Sequence, residues 1–267
     1  MKVALLGAGH IAGALVAGWT RPEVPAGQRP QLFIYDPFSD RAATLAHGTT
    51  GRACGTTTEA VTAADLVVLA MRPDDVEAAA RSIADSLGQR PLVSVAAYVT
   101  VERLVAGLEG GAFVGRVMPS VAVAVGRGTL LLVEGTLGAA VADVRALFGS
   151  LGRLLSVDES LYDEATAVSA CGPGFGGYFI EALADAGRRA GLDRALAIEL
   201  AAGALAGAAE LVERGDDPGA LWRGVAVPGG MTAATIESFA AAGLPETIAA
   251  GVAAAVERAH ERRLRPR

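Results

Sequence analysis

Met1-Lys-Val-Ala-Leu-Leu-Gly-Ala-Gly-His-Ile-Ala-Gly13 decides the fold. Val3 to Leu6 read as a short buried strand, and Gly7 and Gly9 follow at once. Ala12 opens the apolar stripe of a helix running to about Trp19. The result is Gly-x-Gly-x-x-Ala between a strand and a helix, the form of a dinucleotide-binding turn. The first glycine makes the tight turn. The second lets the backbone approach a pyrophosphate, and the small Ala12 lets the helix pack closely on the strand. The helix start, at His10 and Ile11, then offers free amides to the phosphates. In a chain with 34 glycines the pattern alone is weak. Its place between a strand and a helix is what makes it specific.

Working outward, strands and helices alternate. Gln31 to Tyr35 read as the next strand, with Asp36 at its end. A carboxylate there can accept hydrogen bonds from a ribose 2'-hydroxyl and would repel a 2'-phosphate. It also suits a turn before Pro37. The expected cofactor is NADH or NADPH, with a lean to NADH from Asp36, although Arg41 could swing toward a phosphate. Leu66 to Ala70 form an uninterrupted apolar run, as in a strand covered on both faces. Met71-Arg72-Pro73 follow, and Pro73 can open a helix with Asp74 and Asp75 in its first turn. Leu92 to Val95 end in Ala96-Ala97, and Ala112 to Val117 lead to Met118-Pro119-Ser120. Leu130 to Val133 add a strand, and Gly152 to Leu155 a short edge element. The loops leave the carboxyl edge, where open parallel sheets bind ligands. Asp36, Ala70, Met71, Arg72, Pro73 and Ala96 therefore join Gly7, Gly9, His10, Ile11 and Ala12 as cofactor-binding candidates.

Beyond Asp158 the pattern is helical. Helices are expected over Tyr162–Ser169, then, after an Ala170-Cys-Gly-Pro-Gly174 loop, over Phe175–Ala190, Arg194–Arg214, Ala233–Ala242 and Pro245–Arg262. The fold class is α/β: a Rossmann-type dinucleotide-binding domain over 1–158 and an all-helical substrate-binding and dimerisation domain over 159–267. The helix at 194–214 is rich in Ala and Gly and apolar on both faces, which calls for burial against other helices. A domain this small has few interior positions for it, so a subunit interface is expected.

Composition narrows the function. The formal net charge is -6, and no basic patch interleaves with aromatics, which argues against nucleic acid. The arginines between 258 and 267 read as a solvated end. Cys54 and Cys171 show neither metal nor disulfide spacing, so no metal is expected. The N-terminus lacks the features of a signal peptide. The apolar stretch Ala195–Ala209 contains Glu199 and reads as too short for a bilayer. A cytoplasmic protein with no membrane partner is the expectation.

The proton donors are few. Lys2 is the only lysine, and the histidines are His10, His47 and His260. Reducing a neutral ketone makes an alkoxide and calls for a strong donor or a metal. An iminium carbon is already electrophilic and yields a neutral amine on hydride addition, so one hydroxyl on the nitrogen can suffice. Thr232, in Pro228-Gly-Gly-Met-Thr232, is a candidate, and the amides of Gly230, Met231 and Thr232 suit a carboxylate. Thr232 also reads as a helix N-cap. No histidine accompanies Cys171 in any readable pattern, so it reads as packing rather than as a nucleophile.

Several blocks in order resemble the pyrroline-5-carboxylate reductase family over essentially the full length. They are the Gly-x-Gly turn with Ala12, Ala70-Met-Arg-Pro73, Arg116-Val-Met-Pro119, Val157-Asp-Glu159, Thr166 through Glu181, and Pro228-Gly-Gly-Met-Thr232. The resemblance implies reduction of 1-pyrroline-5-carboxylate to L-proline with NADPH or NADH. It implies that Thr232 is the catalytic residue, on the ring nitrogen, and that Pro228, Gly229, Gly230 and Met231 hold the carboxylate. Met118 and Pro119 would lie by the nicotinamide, and Met118 and Cys171 would join the substrate-binding set. It also implies an intertwined homodimer, with dimers assembling into decamers.

The chain departs from the family pattern in places. Ser169-Ala-Cys-Gly-Pro-Gly-Phe175 replaces Ser-Gly-Ser-Gly-Pro-Ala-Tyr, and Ser120 replaces Asn. Trp222-Arg-Gly-Val-Ala-Val-Pro228 replaces a polar segment, and Met231 replaces Thr. An apolar turn fits a related cyclic imine or imino acid as the alternative substrate. A hydroxy-acid dehydrogenase of the same architecture would use a lysine in the helical region, which this chain lacks. A non-catalytic cofactor-binding regulator would have no need of Thr232 and its Gly-Gly turn.

Overall fold

The computed structural model describes residues 1–108 and 111–264. The chain forms two compact units, Met1–Gly172 with Ala255–Arg267, and Pro173–Ala254.

The first unit is built on one eight-stranded sheet. In chain order its elements are β1 (Lys2–Leu6), α1 (His10–Trp19), β2 (Gln31–Tyr35), α2 (Ser39–Ala46), β3 (Arg52–Ala53), α3 (Thr57–Thr62) and β4 (Leu66–Leu69). Then come α4 (Pro73–Ser82), α5 (Ala84–Leu87), β5 (Leu92–Ser94), α6 (Val101–Val105), β6 (Val114–Met118), β7 (Gly128–Val133), α7 (Val141–Gly149) and β8 (Gly152–Ser156). The strand order is β3-β2-β1-β4-β5-β6-β7-β8. Both faces of the sheet are covered, and the pleat divides each central strand between two cores. Val3, Leu5, Leu66 and Val68 enter one core, with Trp19 and Phe148. Ala4, Leu6, Val67 and Leu69 enter the other. Trp19 donates its indole N–H to the Leu147 carbonyl at 3.0 Å, so its polar atom is satisfied inside the core.

β7 runs antiparallel to β6, and β8 runs parallel to β7. The connection explains the reversal. Between Met118 and Gly128 the chain makes only a 3-10 turn over Val121–Val125, and a parallel crossover needs about a dozen residues or more.

The helices that follow are α8 (Tyr162–Ser169), α9 (Gly172–Arg189), α10 (Arg194–Glu213), α11 (Pro218–Val225), α12 (Met231–Ala241) and α13 (Leu244–Leu264). Four expectations change. Gly172-Pro-Gly174 is the first turn of α9 rather than a loop, because a proline loses no hydrogen bond at a helix start. Asp217 caps an unanticipated α11, its carboxylate accepting from the Ala220 N–H at 2.7 Å. α10 spans 20 residues with a mean hydropathy of 1.7, so it has the length and apolarity of a bilayer span, contrary to the shorter stretch read from sequence. Finally, the arginine-rich end is not simply solvated. Arg262 lies 3.2 Å from Asp74, and Arg263 lies 3.3 Å from the buried Asp163.

Candidate functional site

Strand register assembles the first part of the site. Tyr35, Leu6, Leu69, Ser94 and Arg116 stand side by side across β2, β1, β4, β5 and β6. Asp36, Gly7 and Ala70 therefore leave the sheet together, next to the segments that carry Ala96 and Met118.

Gly7 has φ 105°, and a Cβ there would sit 2.7 Å from the Ala70 carbonyl oxygen. Only glycine fits this crossing of β1 and β4. Its N–H donates to the Tyr35 carbonyl at 2.8 Å. At Gly9, by contrast, a Cβ would meet open space. Gly9 is the N-cap of α1, and no side chain caps that helix, so the first-turn amides remain available to a ligand. Ala12 is fully buried beneath the turn.

The turn faces a cleft of about 920 Å³. Of the cofactor-binding candidates, Gly7, Gly9, His10, Ile11, Asp36, Ala70, Met71 and Arg72 line it. Ala12, Pro73, Ala96 and Pro119 do not. Pro73 opens α4, Ala96 follows β5, and Pro119 follows β6. Tyr35, Phe38 and Asp75 line the cleft without having been foreseen. Phe38 and Tyr35 flank Asp36 in sequence, and that proximity was the available signal.

Asp36 is tightly engaged. One carboxylate oxygen accepts from the Ala8 N–H at 2.8 Å and the other from the Phe38 N–H at 2.9 Å. The same side chain thus braces the glycine turn and borders the cleft. Arg41 stacks on the Phe38 ring at 4.6 Å and also lines the cleft. Tyr98, in the loop after β5, has φ 67° and is the one non-glycine residue with positive φ among those described.

The remaining candidates lie mainly in the helical unit. Gly229 has φ 77°, and the Gly230 N–H donates to the Val227 carbonyl at 2.9 Å, closing a turn over Val227–Gly230. Gly230, not Thr232, is the N-cap of α12, and it provides no side-chain cap. Thr232 therefore sits in the first turn, exposed and free of the capping role. Met231 is 90% exposed, and Trp222 and Val227 are exposed as well. Met118 is buried at the end of β6, and Cys171 is exposed at the end of α8.

Two family models match separate stretches of the chain. Residues 159–262 match the family model described as pyrroline-5-carboxylate reductase dimerisation. Residues 2–98 match one described as NADP oxidoreductase coenzyme F420-dependent. The chain is 37% identical to pyrroline-5-carboxylate reductase of Mycobacterium leprae, covering 98% of this chain and 97% of that protein. It is 33% identical to the Arabidopsis thaliana pyrroline-5-carboxylate reductase, covering 97% and 95%. The crystal structure of Plasmodium falciparum pyrroline carboxylate reductase with NADP bound superposes with a TM-score of 0.85 at 27% identity, covering 98% of both chains. With the strand-turn-helix at Gly7, the uncapped helix after Gly230 and these matches along nearly all its length, the chain belongs to the pyrroline-5-carboxylate reductase family.

Proposed function

We infer that this protein reduces 1-pyrroline-5-carboxylate to L-proline with a reduced nicotinamide dinucleotide. The observation that carries the assignment of roles is the start of α12: an uncapped helix end with Thr232 free in its first turn. A carboxylate set there accepts from the amides of Met231 and Thr232, which the helix itself leaves unpaired, whereas the Gly230 amide is held by the Val227 carbonyl. Thr232 Oγ1 holds the ring nitrogen, and Pro228 and Gly229 shape the turn.

The bound dinucleotide supplies a hydride to the imine carbon. The C=N π pair moves to nitrogen, and the protonated imine becomes a neutral secondary amine. No strong acid is needed, in keeping with a chain whose only lysine is Lys2. The first-turn amides of α1 hold the pyrophosphate, with Gly7, Gly9, His10, Ile11 and Ala12 forming the turn. Asp36 takes the ribose and Ala70, Met71 and Arg72 border the cleft, while Pro73, Ala96, Met118 and Pro119, outside the cleft lining, are assigned to the nicotinamide end. Cys171 joins the substrate side. Asp36 gives a modest preference for NADH, and Arg41 is the group able to meet a 2'-phosphate. Cofactor binding is assigned to 1–158 and substrate binding and dimerisation to 159–267, although residues 159–172 fall within the first compact unit, in a cytoplasmic homodimer able to build decamers.

A second reading, a related cyclic imine, rests on the exposed Trp222, Val227 and Met231 around the turn. Purified protein assayed with 1-pyrroline-5-carboxylate, 1-pyrroline-2-carboxylate, 1-piperideine-6-carboxylate and an uncarboxylated cyclic imine separates the two. Fast turnover of the first alone supports proline formation. Preference for the uncarboxylated ring overturns the carboxylate role of the turn.

A further inference from the structure

Arg116 has no exposed surface. Its Nη1 donates to Glu159 Oε1 at 2.7 Å, and its guanidinium lies 3.9 Å from the Tyr162 ring centre. The same Glu159 oxygen accepts the Val101 N–H at 2.9 Å, at the start of α6. Nε and Nη2 of Arg116 and the Tyr162 hydroxyl have no hydrogen-bond partner among the described residues. Burial pushes the Tyr162 phenol upward, so the ring beside the guanidinium stays neutral.

Stability alone is a poor account of this pair. Taking two charges out of water costs about as much as their attraction returns, and apolar side chains of similar volume often serve as well. Two orphan donors on one buried guanidinium add to the cost. The pair's position says more. Arg116 lies in register with Ser94 and two residues before Met118. Val101 directly follows the loop that runs from Ala96 to Thr100. One carboxylate therefore fixes the far end of the loop after β5 and the near end of the loop after β6. It does so from Glu159, which lies in the short 3-10 turn leading into α8.

We propose that Arg116 and Glu159 are positioning residues for hydride transfer, setting the segments of Ala96 and of Met118-Pro119 against the nicotinamide. This rests on the cofactor placement inferred above. Two variants test it. Glu159→Gln keeps the shape and the acceptor for Val101 but removes the charge. The double variant Arg116→Met/Glu159→Leu replaces the pair by apolar side chains. Each is measured as full-length protein for thermal midpoint, dinucleotide affinity by fluorescence titration, and single-turnover loss of nicotinamide absorbance with 1-pyrroline-5-carboxylate.

The expected result is retained folding, dinucleotide affinity within about threefold, and a hydride-transfer rate lower by about 10- to 100-fold, the size of a small misplacement of reacting atoms. Rates within about twofold of the native protein in folded variants would overturn the proposal. So would failure of both variants to fold, which would make the pair a folding requirement. If the native protein itself does not turn over this substrate, the functional reading fails, and that outcome is separate from a native rate that the variants merely preserve.

Discussion

At the scale of single residues, the proposed mechanism rests on Thr232. Its hydroxyl is not spent on capping α12, because Gly230 holds that position. Thr232→Ala is expected to leave the fold and dinucleotide affinity intact and to lower kcat/KM by about tenfold to a thousandfold, as for one lost hydrogen bond to a polar or charged group. Steady-state kinetics beside a dinucleotide titration would check this, and an unchanged kcat/KM would remove Thr232 from the mechanism. Beside its proposed ribose contact, Asp36 holds the Ala8 and Phe38 amides. Asp36→Ser should therefore weaken both cofactors while narrowing any NADH preference by about 1 kcal/mol, the size of a charged contact. The ratio of the two kcat/KM values is the readout, and a native preference for NADPH would show that Asp36 does not discriminate. Cys54 is buried, and burial pushes its thiol above the ordinary value of 9.0; Arg52 opposes the shift, and Glu59 adds to it. A raised value means that the folded state favours the protonated thiol. Its contribution to stability is complete below the ordinary range and is lost as pH rises through it and beyond. Denaturant midpoints should fall above about pH 9, and less steeply in Cys54→Ala.

At the scale of elements, what was legible followed burial. β1 and β4 announced themselves because strands covered on both faces are apolar throughout. The glycine turn was legible because only glycine fits against the Ala70 carbonyl. The direction of β7 was not, since it depends on a connection too short to cross over rather than on the strand's own residues. The start of α9 was missed because Gly172-Pro-Gly174 has loop composition, and α11 because Asp217-Pro218 was not taken for the cap and first residue that they are. The ion pair of Arg116 with Glu159 joins residues 43 apart, and no local pattern encodes such a contact. Packing of α1 gives a direct test. A Cβ on Gly18 would lie 2.4 Å from the Val123 carbonyl oxygen and 2.6 Å from Leu151 Cδ2. Gly18→Ala is expected to destabilise the first unit by about 1–3 kcal/mol through overpacking, read as a lower denaturant midpoint. An unchanged midpoint would mean that the 3-10 turn at Val121–Val125 shifts freely.

At the scale of the whole molecule, the helical unit leaves its apolar side chains outward. In α10 only Ala197 and Ala201 are buried, while Leu200 is 53% exposed and Leu196, Ile198 and Leu211 are also exposed. α9 adds Phe175 and Tyr178, the latter 76% exposed. Apolar surface on this scale marks an interaction site, and these helices lie within the segment matched by the dimerisation model. A second copy of the chain is the cover that accounts for both observations, and it also accounts for a helix with the hydropathy of a bilayer span. The native protein is therefore expected to sediment as a dimer or a larger closed assembly at micromolar concentration. Leu200→Glu places a charge in that face and should shift the protein toward monomer. The cleft beside the glycine turn, the proposed dinucleotide site, is lined by residues of the first unit. The monomeric variant is accordingly expected to keep dinucleotide affinity within about threefold while losing turnover by about tenfold or more, because binding of the cofactor and assembly of the substrate turn are separable. Sedimentation velocity, a fluorescence titration and a turnover assay on the same preparation check the three parts together. A folded, monomeric native protein with full turnover would show that these faces serve some other contact.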